Sequence, residues 1–381
     1  MKIVPMPNCK LIYEPREDST LLEHYVRKFA YGNVLDVGTG SGIQAIAAAH
    51  DKDVNYVLAV DVQKGVIEYC NNCIKNKKIK FLHSDLFKNV KGKFDTIIFN
   101  PPYLPQELKL KDLTIEGGKN GYETIQKFIN GVNQFLSKEG IILMAFSSLT
   151  KKEKVEKFIE NNLFDFEELE KMHIFFEDIY VYLLRNNNFL KKLESKSIKD
   201  IKYLAKGHRG LLFTGILNKK KVVIKIKNPE SKAIGRIENE IKWLKKLNQY
   251  NIGSKILFSD EDYFVYRFID GDFIIDYLTK SNKAKIKRII KYIFKQLFIL
   301  DELKIDKEEM HHPIKHIIVH KDKPHLIDFE RTHYVQKPKN VTQFCQFLIN
   351  ENICNLLKSK GIHIDKELIV NLAKIYKGTL T

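Results

Sequence analysis

The sequence contains no run of about 18 uncharged apolar residues, so an ordinary membrane-spanning helix is not expected. Its opening, MKIVPMPNCK, carries an early lysine and two prolines but no apolar stretch of the secretory-leader kind. Cysteine is scarce. Five in 381 residues is a small and odd number, which argues against a disulfide framework and for a reducing, cytoplasmic setting. Cys70 and Cys73 have zinc-like spacing, yet no second cysteine or histidine pair follows at a suitable distance. Ile67, Cys70 and Ile74 fall on one face of a helical pattern, so buried thiols are expected there. Internal repeats and low-complexity tracts are missing too, which leaves an ordinary globular chain long enough for two domains.

The second half is short of negative charge. Residues 1–190 hold 25 Lys and Arg against 25 Asp and Glu, while residues 191–381 hold 39 against 22, so the entire net charge of +17 sits in the second half. Such asymmetry points to two modules with different partners. The composition changes across RNNNFLKKLESKSIKD (185–200), which is Asn-rich and then basic. The expected division is a first domain at 1–187, a linker at 188–200 and a second domain at 201–381.

In the first half, strand-like and helix-like segments alternate. NVLDVG (33–38), NYVLAVD (55–61), KIKFLH (78–83), FDTIIFN (94–100), GIILMAF (140–146) and DIYVYLLR (178–185) read as strands, the last of these as the final one. IQAIAAAH (43–50), KGVIEYCNNCIK (64–75) and GYETIQKFINGVNQFLSK (121–138) read as helices. Alternation of this kind makes an α/β fold with a parallel-rich sheet and helices on both faces. Ligands of such sheets bind beyond the carboxyl ends of the strands.

Candidate site residues lie at those ends. The first strand runs into DVGTGSG (36–42), where Asp36 precedes Gly38, Gly40 and Gly42, and the glycines allow a sharp turn and a close backbone approach to a ligand. A dinucleotide fingerprint would place its third glycine at position 43, which is Ile43, and this counts against NAD. Asp61 ends the second strand, where a carboxylate can accept ribose hydroxyls. Asp85, in SDLF after the third strand, can accept from an adenine amine. The fourth strand stops at Asn100-Pro101-Pro102-Tyr103, because two prolines have no N–H with which to continue it.

In this order the motifs of residues 1–187 resemble a class I S-adenosylmethionine-dependent methyltransferase with a Rossmann-like sheet. More narrowly, YEPREDSTLL (13–22), NPPYLP (100–105) and GGKNGYETI (117–125) resemble the short archaeal and eukaryotic branch of the HemK family. That family methylates the glutamine amide in the GGQ motif of peptide-chain release factors. The chain departs from it at Ile115, where the family has tryptophan. The resemblance implies S-adenosylmethionine as cofactor and a release factor as substrate. It also implies a small zinc-containing activator subunit as partner. It assigns Asn100, Pro101, Pro102 and Tyr103 to the acceptor amide and makes Thr20 a cofactor contact. Read locally, Glu14, Asp18 and Thr20 are equally well helix-start residues, with DST (18–20) as the cap signal before LLEHYV. The same polar tip also suits exocyclic amines of adenine or cytosine, which are planar N–H2 groups as well. Lysine methylation by this fold is a further alternative.

The second half resembles a small α+β protein-kinase-like domain of the RIO type, and within that type a group of predicted archaeal Ser/Thr kinases. Gly207, Gly210 and Gly215 precede a strand carrying Lys225, then a helix carrying Glu240, a hinge-like segment at 262–274, and Asp328-Phe329-Glu330. The resemblance implies ATP, with Lys225 on the phosphates and paired to Glu240, and Mg held by Asp328. It departs from the kinase pattern in its glycine spacing, in Glu330 after Phe329, and in EEMHHPIKHIIV (308–319), where the catalytic loop should lie. There His316 takes the metal-binding Asn position. His311 takes the catalytic Asp position, or Glu309 does if two residues are inserted. KAKIKRIIKYIFKQLF (283–298) has an apolar face of Ile286, Ile289, Ile290, Ile293 and Leu297, so its lysines face water, where they could also meet RNA.

Overall fold

The computed structural model describes residues 14–105, 116–206, 210–227 and 236–379. Ile115 and Gly207, singled out above, lie outside them. The described residues form two compact units. One is the chain up to Tyr203 together with Ile216–Asn218, and the other is Leu204–Gly215 and the chain from Lys219 onward. Residues 188–200, expected as a linker, include helix α6 (Asn188–Ser195). Asn187 caps it by accepting from the Leu190 N–H, and Leu190 and Leu193 are buried.

The first unit is a seven-stranded sheet between two helical layers. Its strands are β1 (Gly32–Val37), β2 (Val54–Asp61), β3 (Ile79–His83), β4 (Phe94–Phe99), β5 (Leu136–Ser147), β6 (Phe164–Ile174) and β7 (Glu177–Asn186). They lie in the order β3-β2-β1-β4-β5-β7-β6, with β7 antiparallel to both of its neighbours. Successive side chains point to opposite faces of a strand, so each strand feeds two cores. Leu35, Val37, Ile97, Phe99, Met144 and Tyr182 face α4 (Glu123–Val132) and α5 (Lys152–Asn161). Val34, Val57, Ala59, Ile98, Leu143 and Val181 face α1 (Glu17–Phe29), α2 (Ile43–Ala49) and α3 (Lys64–Cys73).

Several expectations are corrected. The helix expected over 121–138 stops at Val132. The Phe135 N–H bonds back to the Val132 carbonyl, and Leu136 already belongs to β5. DIYVYLLR is the final strand of this sheet, as expected, but the strand before it, β6, went unread. DIYVYLLR pairs with β6, whose sequence is polar because that strand lies at the sheet edge and mostly faces solvent. Helix α1 begins at Glu17, so Asp18 and Ser19 lie in its first turn, buried, and do not cap it. Cys70 is buried as expected, but Cys73 is exposed.

Strand β8 (Lys199–Lys206) runs across the boundary at Tyr203, and the sheet of the second unit is built from β9 (Gly210–Leu217), β10 (Lys220–Lys227), β11 (Ile256–Ser259) and β12 (Tyr263–Arg267), in the order β9-β10-β12-β11, with β12 antiparallel to β10 and β11. Helix α7 (Arg236–Leu247) follows β10 in the chain and buries Ile237, Ile241, Leu244 and Leu247. A largely helical part follows, built on α8 (Ile274–Lys280) and α9 (Lys283–Glu302) with the hairpin β13 (Ile317–His320) and β14 (Lys323–Leu326). Three more helices close the chain: α10 (Asn340–Ile349), α11 (Glu351–Ser359) and α12 (Lys366–Thr379). Asp301 of α9 accepts from the side chain and N–H of Asn340 and from the Tyr376 hydroxyl, tying α9, α10 and α12 together.

Candidate functional site

In the first unit the polar groups gather at the carboxyl ends of β1, β2 and β4. Gly38 and Gly40 have φ of +70° and +51°, and a Cβ added to Gly38 would meet nothing within 4 Å. The loop is therefore open where a ligand would approach it. Gly42 has a different task. Its φ is +82°, and a Cβ there would lie 2.4 Å from Ile74 Cδ1, so it is a packing glycine against the end of α3. Asp36 is 1% exposed and accepts from Thr39 Oγ1 at 2.7 Å. Burial pushes its carboxyl up to about 7, against the Thr39 bond and with the help of Asp61. Asp61 accepts the Gly40 N–H at 3.1 Å on one oxygen and the Gln63 N–H at 2.9 Å on the other, and burial raises it as well. Asp85 is exposed just after β3.

Asn100 follows β4 directly. Its amide nitrogen donates to Asp18 Oδ2 at 3.0 Å and to Ser19 Oγ at 3.2 Å, while its Oδ1 is shielded from solvent and has no partner. Asp18 and Ser19 are 4% and 2% exposed, and Gln44 holds the first turn of α1 by donating to the Ser19 carbonyl. Ser19 was not legible as a site residue, and Asp18 read only as a helix-start residue. Thr20, the expected cofactor contact, is exposed and donates to the Arg16 carbonyl of its own helix. Pro101 is buried, and Pro102 and Tyr103 are half-buried. The Gly117 motif packs behind them: a Cβ on Gly117 would lie 2.6 Å from the Pro102 carbonyl and 2.1 Å from that of Gly121. Only glycine allows that approach.

The second unit has its own cluster. Lys225 Nζ lies 2.6 Å from Glu240, 3.7 Å from Asp328 and 3.9 Å from Glu330. Burial alone would lower the Lys225 ammonium, but the carboxylates of Glu240 and Asp328 outweigh it and raise it. Oxygens of Glu240, Asp328 and Glu330 lie within 4.8 Å of one another, a set that suits a hard divalent cation. His316 Nε2 is 3.2 Å from Glu309, its Nδ1 is 3.9 Å from Asp328, and Arg331 holds the other Glu309 oxygen at 2.6 Å. Burial and the charge of Lys307 lower His316. Burial also brings Lys307 down to about 8, although its Nζ donates to the Asp328 carbonyl at 2.9 Å. Of the two candidates for the carboxylate position, Glu309 is beside His316, and His311 is exposed at the rim of a cavity of about 600 Å3. Glu308, Glu309 and Asp328 all have left-handed φ, which is uncommon outside glycine and concentrates strain around this site. Lys307 and Arg331 carried no sequence signal, and Glu330 read only as a departure from the kinase pattern.

The strand order with an antiparallel seventh strand, the glycine loop and the polar tip after β4 define a class I S-adenosylmethionine-dependent methyltransferase. Residues 17–176 match the methyltransferase small domain family. A putative protein N5-glutamine methyltransferase of Methanocaldococcus jannaschii is 38% identical over 154 residues, 38% of this chain and 78% of that protein. The chain belongs, through its first half, to the HemK-like methyltransferase family. A ribosomal protein uL3 glutamine methyltransferase of Neisseria gonorrhoeae is 32% identical over 29% of this chain and 42% of its own length. A release factor glutamine methyltransferase of Buchnera aphidicola is 29% identical over 41% of this chain and 58% of its own length. The solved E. cuniculi Mtq2–Trm112 complex, described as responsible for methylation of the eRF1 translation termination factor, aligns at 22% identity and a TM-score of 0.39 over 46% of this chain and 99% of that one. No helix among the described residues is long and apolar enough to cross a membrane.

Proposed function

We propose that the first unit methylates the side-chain amide nitrogen of a protein glutamine, with the GGQ loop of a peptide-chain release factor as substrate. The observation that carries this reading is the shielded, unpartnered Asn100 Oδ1 beside an amide nitrogen fixed by Asp18 and Ser19. An amide nitrogen is a poor nucleophile, because its lone pair is delocalised into the carbonyl. What it needs from the protein is orientation. Asn100 Oδ1 accepts one N–H of the acceptor, the Pro101 carbonyl accepts the other, Pro102 stiffens the turn and Tyr103 packs on the planar group. Positioning of this kind is worth about 7–11 kcal/mol of a bimolecular barrier. S-adenosylmethionine, when bound, supplies the electrophilic methyl group. The open Gly38–Gly40 backbone and the carboxylates of Asp36 and Asp61 fit it, and Asp85 would accept from its adenine amine. Relatives named for release factor and for uL3 share the glutamine amide as acceptor, which favours the amide over a nucleic-acid amine. A small zinc-containing activator subunit is part of the proposal.

The test is methyl transfer from radiolabelled S-adenosylmethionine, with and without the activator. Release factor, its GGQ glutamine→alanine variant and total tRNA are offered side by side. The expected result is label on the factor alone, lost in the variant and in Asn100→Ala. Label on tRNA and none on the factor would transfer the assignment to base-amine methylation, with RNA contact through the basic second half.

The Lys225–Glu240 ion pair supports a second reading, of a kinase-like domain at 201–381 after the methyltransferase domain at 1–187. Lys225 would hold the phosphates of ATP, Asp328 would bind Mg with Glu330 nearby, and Glu309 beside His316 would stand at the catalytic-loop position. ATP-dependent autophosphorylation, lost in Lys225→Ala and in Asp328→Ala, is the expected result. Nucleotide binding with no transfer would leave a pseudokinase.

A further inference from the structure

Strands β6 and β7 are joined by a two-residue turn, Phe175–Phe176, between the paired residues Ile174 and Glu177. Turns of this length favour Asn-Gly or Gly at the tip, because they need a positive φ. Here a phenylalanine takes that conformation, with Phe175 at φ +46°. The two rings are 86% and 98% exposed, the highest values among the large apolar side chains of the described residues. The sequence thus accepts backbone strain and exposed aromatic surface at one point, and neither ring is part of a buried core. Strain and exposure of this kind mark a contact site for another molecule.

The place of the tip says which molecule. β7 is antiparallel to β5 and to β6, so β6 runs with the parallel strands and its carboxyl end lies at the same edge of the sheet as that of β4. Ser147, at the end of β5, donates to Glu177, and the Asp178 N–H donates to Ser148 Oγ at 3.0 Å. The turn Ser148–Thr150 lies in turn against Leu104–Pro105, the continuation of the Asn100 tip. Three strand spacings separate β4 from β6, roughly 14 Å across the sheet. One macromolecule seated on Asn100 would reach the phenylalanines.

The charges around the tip decide its chemical class. Lys171 and His173 both pair with Asp178 at 2.9 Å, and Lys152 pairs with Glu168 at 2.6 Å. Both lysines are thus paired with carboxylates, so the tip offers little attraction to phosphates, which dominate nucleic-acid affinity. Exposed aromatic anchors are instead the side chains that carry binding energy in protein interfaces. Resting on the glutamine-amide reading, we propose that Phe175 and Phe176 dock the protein that carries the acceptor glutamine, entering an apolar pocket on its surface beside the acceptor loop.

The test is Phe175→Ser/Phe176→Ser in the full chain with the activator present. It is assayed on whole release factor and on a short peptide spanning its GGQ loop. The expected result is a KM for the factor at least tenfold higher, with kcat, peptide turnover, S-adenosylmethionine affinity and the melting temperature unchanged. An unchanged KM for the factor would overturn the docking role while leaving the amide reading intact. An equal loss on factor and peptide would also overturn it, as would a variant whose only defect is weaker binding of a single-stranded oligonucleotide. If wild type labels neither factor nor peptide, the amide reading falls and the docking role falls with it.

Discussion

Asp18 Oδ2 accepts the Asn100 amide nitrogen at 3.0 Å, from the first turn of a helix 82 residues earlier in the chain. A carboxylate only accepts, so this contact holds the Asn100 nitrogen and leaves Oδ1 unpartnered; on the proposed reading that oxygen takes an N–H of the acceptor. Asp18→Ala frees the amide to rotate. The prediction is a fall in kcat of about 10–100-fold, the scale seen when a reacting group is mispositioned. S-adenosylmethionine affinity should hardly change. A variant with normal kcat and weakened cofactor binding would remove Asp18 from this positioning role.

Asp36 carries a pH dependence whose sign follows from its burial. Its carboxyl stands at about 7 in the folded chain against an ordinary 3.8. Between those values the unfolded chain has lost the proton that the folded chain keeps. Stability therefore falls as pH rises through that window, and the loss is complete above about 7. Asp36→Asn keeps an acceptor for the Thr39 hydroxyl and removes the titration. Melting curves of the two proteins should coincide near pH 4 and separate by pH 8, the variant being more stable by on the order of 2–4 kcal/mol. A constant difference across that range would show that Asp36 is ionised in both states.

Gly42→Ala separates two reasons for one glycine. The new Cβ lies 2.4 Å from Ile74 Cδ1, and the backbone at φ +82° is strained for alanine whatever the space. A loss of about 1–3 kcal/mol is expected from unfolding curves. Adding Ile74→Val relieves the contact and leaves the backbone strain, so the double variant should recover only part of the loss. Full recovery would make the conformation irrelevant.

The sheet and the glycine loop were legible because strand runs and punctuating glycines repeat a pattern that burial enforces on both faces. Strand β6 was not, because an edge strand facing solvent has no reason to be apolar. The pairing of Asp18 and Ser19 with Asn100 was hidden for another reason. It joins positions 81 and 82 residues apart, and first-turn polar residues look the same whether they cap a helix or face a site. In the second unit, Lys225 and Glu240 stood out by order along the chain. Lys307 and Arg331 did not, since one more basic side chain in a lysine-rich half carries no signal until the fold buries it or pairs it.

Lys225 and Glu240 make the sharpest prediction in the second unit. The Glu240 side chain is 5% exposed and that of Lys225 13%. Removing one partner of a buried pair leaves the other charge uncompensated, which typically costs about 3–5 kcal/mol, whereas replacing both is often nearly neutral. Lys225→Met should therefore destabilise the second unit strongly, and Lys225→Met/Glu240→Gln should recover most of that loss. The chain supplies its own probe. Its single tryptophan, Trp243, is 2% exposed and lies on α7 one turn beyond Glu240, so urea unfolding followed by its fluorescence reports this unit. The Phe329 N–H also reaches Glu240 Oε1 at 3.4 Å, so the glutamine variant keeps an acceptor there. If the single variant unfolds at the same urea concentration as wild type, the pair is not held in the buried form. Lys225 would then have to be placed by a bound nucleotide and not by Glu240.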